Sequence, residues 1–106
     1  GSAVLRDRKL LSEDGIILIV AALSPTGRYL TGDVEIVSRG FVYVRENEEL
    51  IDQIRSVARR TIENTLSVGM DASAVKTRAK EDVSRFLFEK TKRRPMVLPV
   101  LIETEY

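Results

Sequence analysis

The run Glu89-Lys90-Thr91-Lys92-Arg93-Arg94-Pro95 places four cations within one short segment, backed by Lys76, Arg78, Lys80 and Arg85. Residues 71–94 carry eight basic against four acidic side chains, a local excess of +4 in a chain whose formal net charge is +1. Clustered cations of this kind bind polyanions, because each neutralised phosphate releases counterions and arginine adds a forked donor. Lys90, Lys92, Arg93 and Arg94 are therefore candidate contacts to the phosphates of a polyanion such as RNA. A second reading is purely local: cations gather at a helix C-terminus because its dipole favours them, by about 0.3–1 kcal/mol each. No aromatics interleave with the cations. The nearest, Phe86 and Phe88, lie on the helix itself, which argues against a single-strand stacking platform.

The other groups with chemical potential are carboxylates: Asp14, Asp33 and Glu35, then Glu103 and Glu105. Paired carboxylates serve acid–base chemistry or hold hard cations, but nothing in the spacing makes these converge, and carboxylates on strands usually face water. The chain has no His and no Cys. That removes the usual zinc ligands, the usual base near neutral pH, every Ser-His or Cys-His relay and any disulfide framework. No catalytic or metal-binding residue is assigned, and no cofactor is expected in this chain.

The elements that position these groups follow from pattern. At 106 residues, with 43% apolar and 31% charged side chains, the chain fits one core. Gly1-Ser2 reads as a remnant of tag removal. The longest apolar run, Ile16 to Leu23, is far short of the roughly 20 residues that span a bilayer, and no secretion leader opens the chain. With cysteine absent, a cytoplasmic home away from membranes is expected.

Ile16 to Leu23 is β-branched and bounded by Gly15 and the Ser24-Pro25-Thr26-Gly27 turn, which predicts a strand and then a turn. Tyr29 to Val44 continues in extended form, and Gly40 within it predicts a bulge or close backbone approach, with a register shift near Ser38-Arg39-Gly40. From Glu46 the period becomes helical: Leu50, Ile51, Ile54, Val57, Ala58, Ile62 and Leu66 share one side. Gly69 stops that helix and Asp71 caps the next, whose stripe is Val75, Ala79, Val83, Phe86 and Leu87. The second helix ends before Pro95, and Met96 to Ile102 forms a third strand. Pro99 has no donor, which places that strand at a sheet edge or turns its nitrogen away from a partner.

The order β-β-α-α-β predicts an α+β fold, a two-layer sandwich with a three-stranded sheet packed by two antiparallel helices. Two helices cover one sheet face, so self-association or docking on another domain is expected to protect the other. Arg39, Phe41 and Tyr43 are candidate interface residues, since Arg and aromatics are enriched at hot spots. The alternative is that Phe41 and Tyr43 fill the core beneath the helices.

Three separated stretches together resemble one family: Val4-Leu5-Arg6-Asp7-Arg8 through Glu13-Asp14-Gly15; Ser38-Arg39-Gly40-Phe41-Val42-Tyr43-Val44-Arg45-Glu46; and Glu89 to Met96 with Pro99. They look like the C-terminal region of ribonuclease J, of the metallo-β-lactamase/β-CASP ribonucleases. The resemblance covers nearly the whole chain after Gly1-Ser2. It implies a parent hydrolase that is a cytoplasmic 5′-3′ exonuclease and endonuclease of RNA decay and maturation, including rRNA processing, with zinc in a catalytic domain absent here. It further implies that residues 3–14 are a linker from that catalytic domain and that residues 15–106 form a C-terminal α+β domain supporting dimerisation. The expected partners are a second copy, the parent's catalytic domain and, as the alternative, RNA. The family's His- and Asp-rich catalytic motif has no counterpart in this sequence.

Overall fold

The computed structural model describes residues 14–41 and 47–103. The elements are β1 (Ile16–Leu23), β2 (Leu30–Arg39), α1 (Glu48–Ser67), α2 (Ala72–Thr91) and β3 (Met96–Glu103), so the order β-β-α-α-β and the α+β sandwich are as expected. The sheet order is β2-β1-β3, with β1 antiparallel to β2 and parallel to β3. A parallel return needs a crossover, and the two helices provide it. α1 packs over β2 and α2 over β3.

Alternation along β1 divides the sheet into two faces. Ile17, Ile19, Ala21 and Leu23 are buried, whereas Ile16, Leu18, Val20 and Ala22 between them are only partly so. The buried set meets Leu50, Ile54, Ala58 and Ile62 of α1 and Val75, Ala79, Val83 and Leu87 of α2 in one core. Burying each large aliphatic of this set contributes roughly 1.5–3 kcal/mol. Where the helices meet, Thr61 Oγ1 donates to Asp82 Oδ2 at 2.7 Å, and Thr65 Oγ1 donates to the Thr61 carbonyl.

The helix ends follow local chemistry. Asn47 caps α1, its Oδ1 accepting from Leu50 N–H at 3.0 Å. Gly69 (φ 81°) turns the chain after α1, and Asp71 Oδ1 accepts from Ala74 N–H at 2.9 Å to cap α2. Asp71→Ala is expected to destabilise the fold by about 1 kcal/mol and Asp71→Asn hardly at all. Thermal unfolding checks this, since 1 kcal/mol moves the midpoint of a domain this size by roughly 4–8 °C.

The register shift does not lie at Ser38-Arg39-Gly40. Pairing is regular from Ile16 opposite Arg39 to Val20 opposite Glu35, and breaks where Ala22 faces Thr31, leaving Gly32 to Val34 across from Ala21. Gly32 takes φ 73° there. Two arginines one turn apart on α1 hold this bulge. Arg55 Nε donates to the Val34 carbonyl at 3.1 Å, and Arg59 pairs with Asp33 Oδ1 at 2.7 Å. Gly40 instead makes the close approach: a Cβ built on Gly15 would lie 2.5 Å from the Gly40 carbonyl carbon.

Candidate functional site

Two features stand out beyond the core. The first is the sheet face that the helices do not cover. In register, it presents Ile16, Leu18, Val20 and Ala22 of β1 beside Met96, Leu98, Val100 and Ile102 of β3. On the other side lie Arg39 opposite Ile16, Val37 opposite Leu18 and Glu35 opposite Val20. Val37, Leu98, Val100 and Ile102 are 36%, 38%, 40% and 49% exposed, although each is a large aliphatic within a strand. A contiguous apolar face of this kind marks an interaction surface. Its charges are confined to β2, an acid and a base four residues apart.

The interface candidates separate on this geometry. Arg39 is exposed at one end of the open face. Phe41 is 4% exposed and belongs to the core cluster, so it fills the interior and cannot anchor a partner on the open face. Tyr43 lies outside the described residues, as do residues 1–13. Pattern reading missed the apolar members on β3. The signal was there in the alternation of Leu98, Val100 and Ile102, hidden because Val97 and Leu101 between them are apolar too.

The second feature is the end of α2, where the four basic candidates do not form one patch. Lys90 turns toward the start of α1 and lines a cleft with Asn47, Glu49, Leu50 and Gln53. Arg93 N–H donates to Thr91 Oγ1 at 3.1 Å. Lys92 and Arg94 converge on Phe88, with Lys92 Nζ 5.5 Å and the Arg94 guanidinium carbon 4.5 Å from the ring centroid. Each such contact contributes about 0.5–1 kcal/mol at an exposed site. Phe88, set aside in the sequence as a helix residue, is 36% exposed and joins the two cations.

The backbone explains the convergence. Lys92 caps α2 in the left-handed region (φ 61°), its N–H donating to the Phe88 carbonyl at 2.8 Å. That turn carries the chain back across the last helical turn, and Arg94 N–H then donates to Asp14 Oδ2 at 3.0 Å, joining the end of α2 to the start of β1.

Glu105 lies outside the described residues, and the described candidate carboxylates do not converge. Asp33 is held at the bulge by Arg59, Asp14 accepts from the Arg94 backbone, Glu35 stands on the open face and Glu103 ends β3. Among the described residues no three Asp, Glu, His or Cys side chains come together to hold a metal, so these residues do not fit a zinc ion. No helix among them is long and apolar enough to cross a membrane.

A mixed three-stranded sheet with a helical hairpin on one face and an apolar second face defines a small α+β domain. Residues 3–104 match the family model of the ribonuclease J C-terminal domain, and the chain belongs to that family. It is 46% identical over 104 residues to ribonuclease J 2 of Staphylococcus epidermidis and 43% identical to ribonuclease J2 of Bacillus subtilis. Ribonuclease J 2 of Staphylococcus aureus is 45% identical. In each case the match covers 97% of this chain and 19% of the relative. The chain thus spans about a fifth of the length of these relatives.

Proposed function

We propose that this domain is a non-catalytic accessory part of a ribonuclease J-like enzyme and that it joins two copies of the parent through its open sheet face. The parent would be a cytoplasmic 5′-3′ exo- and endoribonuclease of RNA decay and maturation, with its zinc chemistry in a catalytic domain outside this chain. The observation that carries the reading is the apolar face built from Leu18, Val20, Val37, Leu98 and Val100, which a protein partner would desolvate.

A second copy is the occupant that the charges favour. Stack two copies face to face, related by a two-fold axis that crosses the strands at the level of Leu18 and Val37. β2 then lies over β2, and Glu35 of one copy meets Arg39 of the other, twice. An isologous interface requires this kind of self-complementarity. Sheets packed this way cross at roughly 30° and bring their inner faces about 10 Å apart.

Sedimentation equilibrium of the domain tests the reading. Dimers are expected, Leu98→Lys should abolish them, and Glu35→Arg or Arg39→Glu alone should weaken them by at least about tenfold, because like charges then face each other. The double variant with both charges exchanged should restore association. A strict monomer at high concentration, or a dimer indifferent to Leu98→Lys, rejects the proposal.

A further inference from the structure

We propose that Phe88, Lys92 and Arg94 form a contact site for single-stranded RNA, with the two cations on one phosphate and the ring and guanidinium plane carrying a base. The proposal rests on the reading above only in bringing RNA to the neighbourhood of this domain.

Three observations carry it. The first is that both cations are unspent. Neither Lys92 nor Arg94 has a carboxylate at ion-pair distance among the described residues, whereas Arg55 and Arg85 each have one and Arg59 has two. Asp14 is close by, yet it is bonded to the Arg94 backbone N–H, and the guanidinium passes it over for the face of Phe88. An arginine held over a ring without a carboxylate partner still has N–H donors to offer, and its fork matches the paired oxygens of a phosphate.

The second is the residue at the turn. Six described residues have positive φ, and five of them are glycines: Gly15, Gly27, Gly32, Gly40 and Gly69. Lys92 is the exception, at the place where the chain ends its other long helix with Gly69. Left-handed geometry disfavours a residue with a Cβ, and glycine is the usual solution after a helix. Lysine here sacrifices local stability and gains a charge beside Arg94.

The third is the platform. Rings and guanidinium planes stack nucleobases without regard to sequence, and a neighbouring cation takes the phosphate. An acidic peptide would use the two charges but would have little use for the half-exposed ring, so the combination favours nucleic acid. Lys90, turned to α1, is outside this site.

The test is fluorescence anisotropy with the 106-residue chain and a labelled oligoadenylate of about 12 nucleotides, at salt concentrations from about 50 to about 200 mM. Lys92→Gly and Arg94→Gln should each weaken binding roughly fivefold, and the two together should lower the slope of log affinity against log salt by about 0.7. Phe88→Leu should weaken binding about tenfold. Lys76→Ala, at the far end of α2, should change neither quantity. Lys92→Gly separates binding from folding, because glycine suits this backbone and the melting temperature should not fall. Affinity and salt slope unchanged in these three site variants, or no binding by the parent chain, overturns the proposal. So does equal binding of polyglutamate with the same dependence on Lys92 and Arg94, which would assign the site to an acidic protein. Sedimentation of the same samples keeps the two proposals apart, since these variants leave the open sheet face intact.

Discussion

Gly15→Ala is expected to destabilise the domain by more than about 3 kcal/mol, a large fraction of the roughly 5–15 kcal/mol that a domain of this kind holds. Two penalties combine. At φ 83° an added Cβ carries the left-handed cost of about 1–2 kcal/mol. It would also stand 2.5 Å from the Arg39 carbonyl oxygen and 2.5 Å from the Gly40 carbonyl carbon, backbone atoms that cannot swing aside as a side-chain tip would. Relieving that contact means parting β1 from the end of β2, at a point where Gly15 also accepts from Met96 N–H at 2.9 Å and so ties in β3. Urea unfolding would show the loss as a lower midpoint at unchanged slope. Gly27→Ala is the control. It shares a positive φ of 69°, but nothing lies within 4 Å of its added Cβ, so only the conformational cost of about 1–2 kcal/mol applies.

The second large effect comes from two neighbours on β1 that face opposite ways. Ile19 is wholly buried beneath the helices, with Ile36 and Pro99 as its strand partners. Ile19→Ala should cost about 2–5 kcal/mol through lost transfer energy and the cavity left behind. Leu18, one residue earlier, lies on the open face between Val37 and Leu98. In dilute monomer Leu18→Ala should cost less than Ile19→Ala, because Leu18 is only partly buried and keeps some of its area in water. At high concentration the same change should weaken self-association. Unfolding midpoints measured at two protein concentrations separate the cases: Ile19→Ala shifts both midpoints, whereas Leu18→Ala mainly removes the concentration dependence.

Much of this architecture was legible because its signals are local. β1 could be bounded from Gly15 and the Ser24 to Gly27 turn, the helical stripes from their period, and the start of α2 from Asp71. Pro99 left β3 either at a sheet edge or with its nitrogen turned from a partner, and β3 does lie at an edge of the described sheet. What escaped the sequence depends on contacts between distant residues. The bulge at Gly32 to Val34 is fixed by Arg55 and Arg59, over twenty residues away, so the more conspicuous Gly40 drew the expected shift. Phe41 turns inward because β2 ends at Arg39 and Gly40 (φ 72°) redirects the chain, which strand alternation does not foresee. The four-cation run looked like one patch because adjacency in sequence ignores helix geometry. Lys90 and Lys92 diverge once α2 ends between them, and only the left-handed turn at Lys92 brings Arg94 back over Phe88.

Pro99 has a consequence for how large an assembly of this domain can become. Both flanks of the sheet are poor templates for an incoming strand: β3 has a gap in its donors at Pro99, and β2 is bent by the bulge beside Asp33. Polymerisation by lateral strand addition, the route to fibres, is therefore blocked on each side. On the proposed two-fold pairing, association through the remaining apolar face would close on itself and add no third copy.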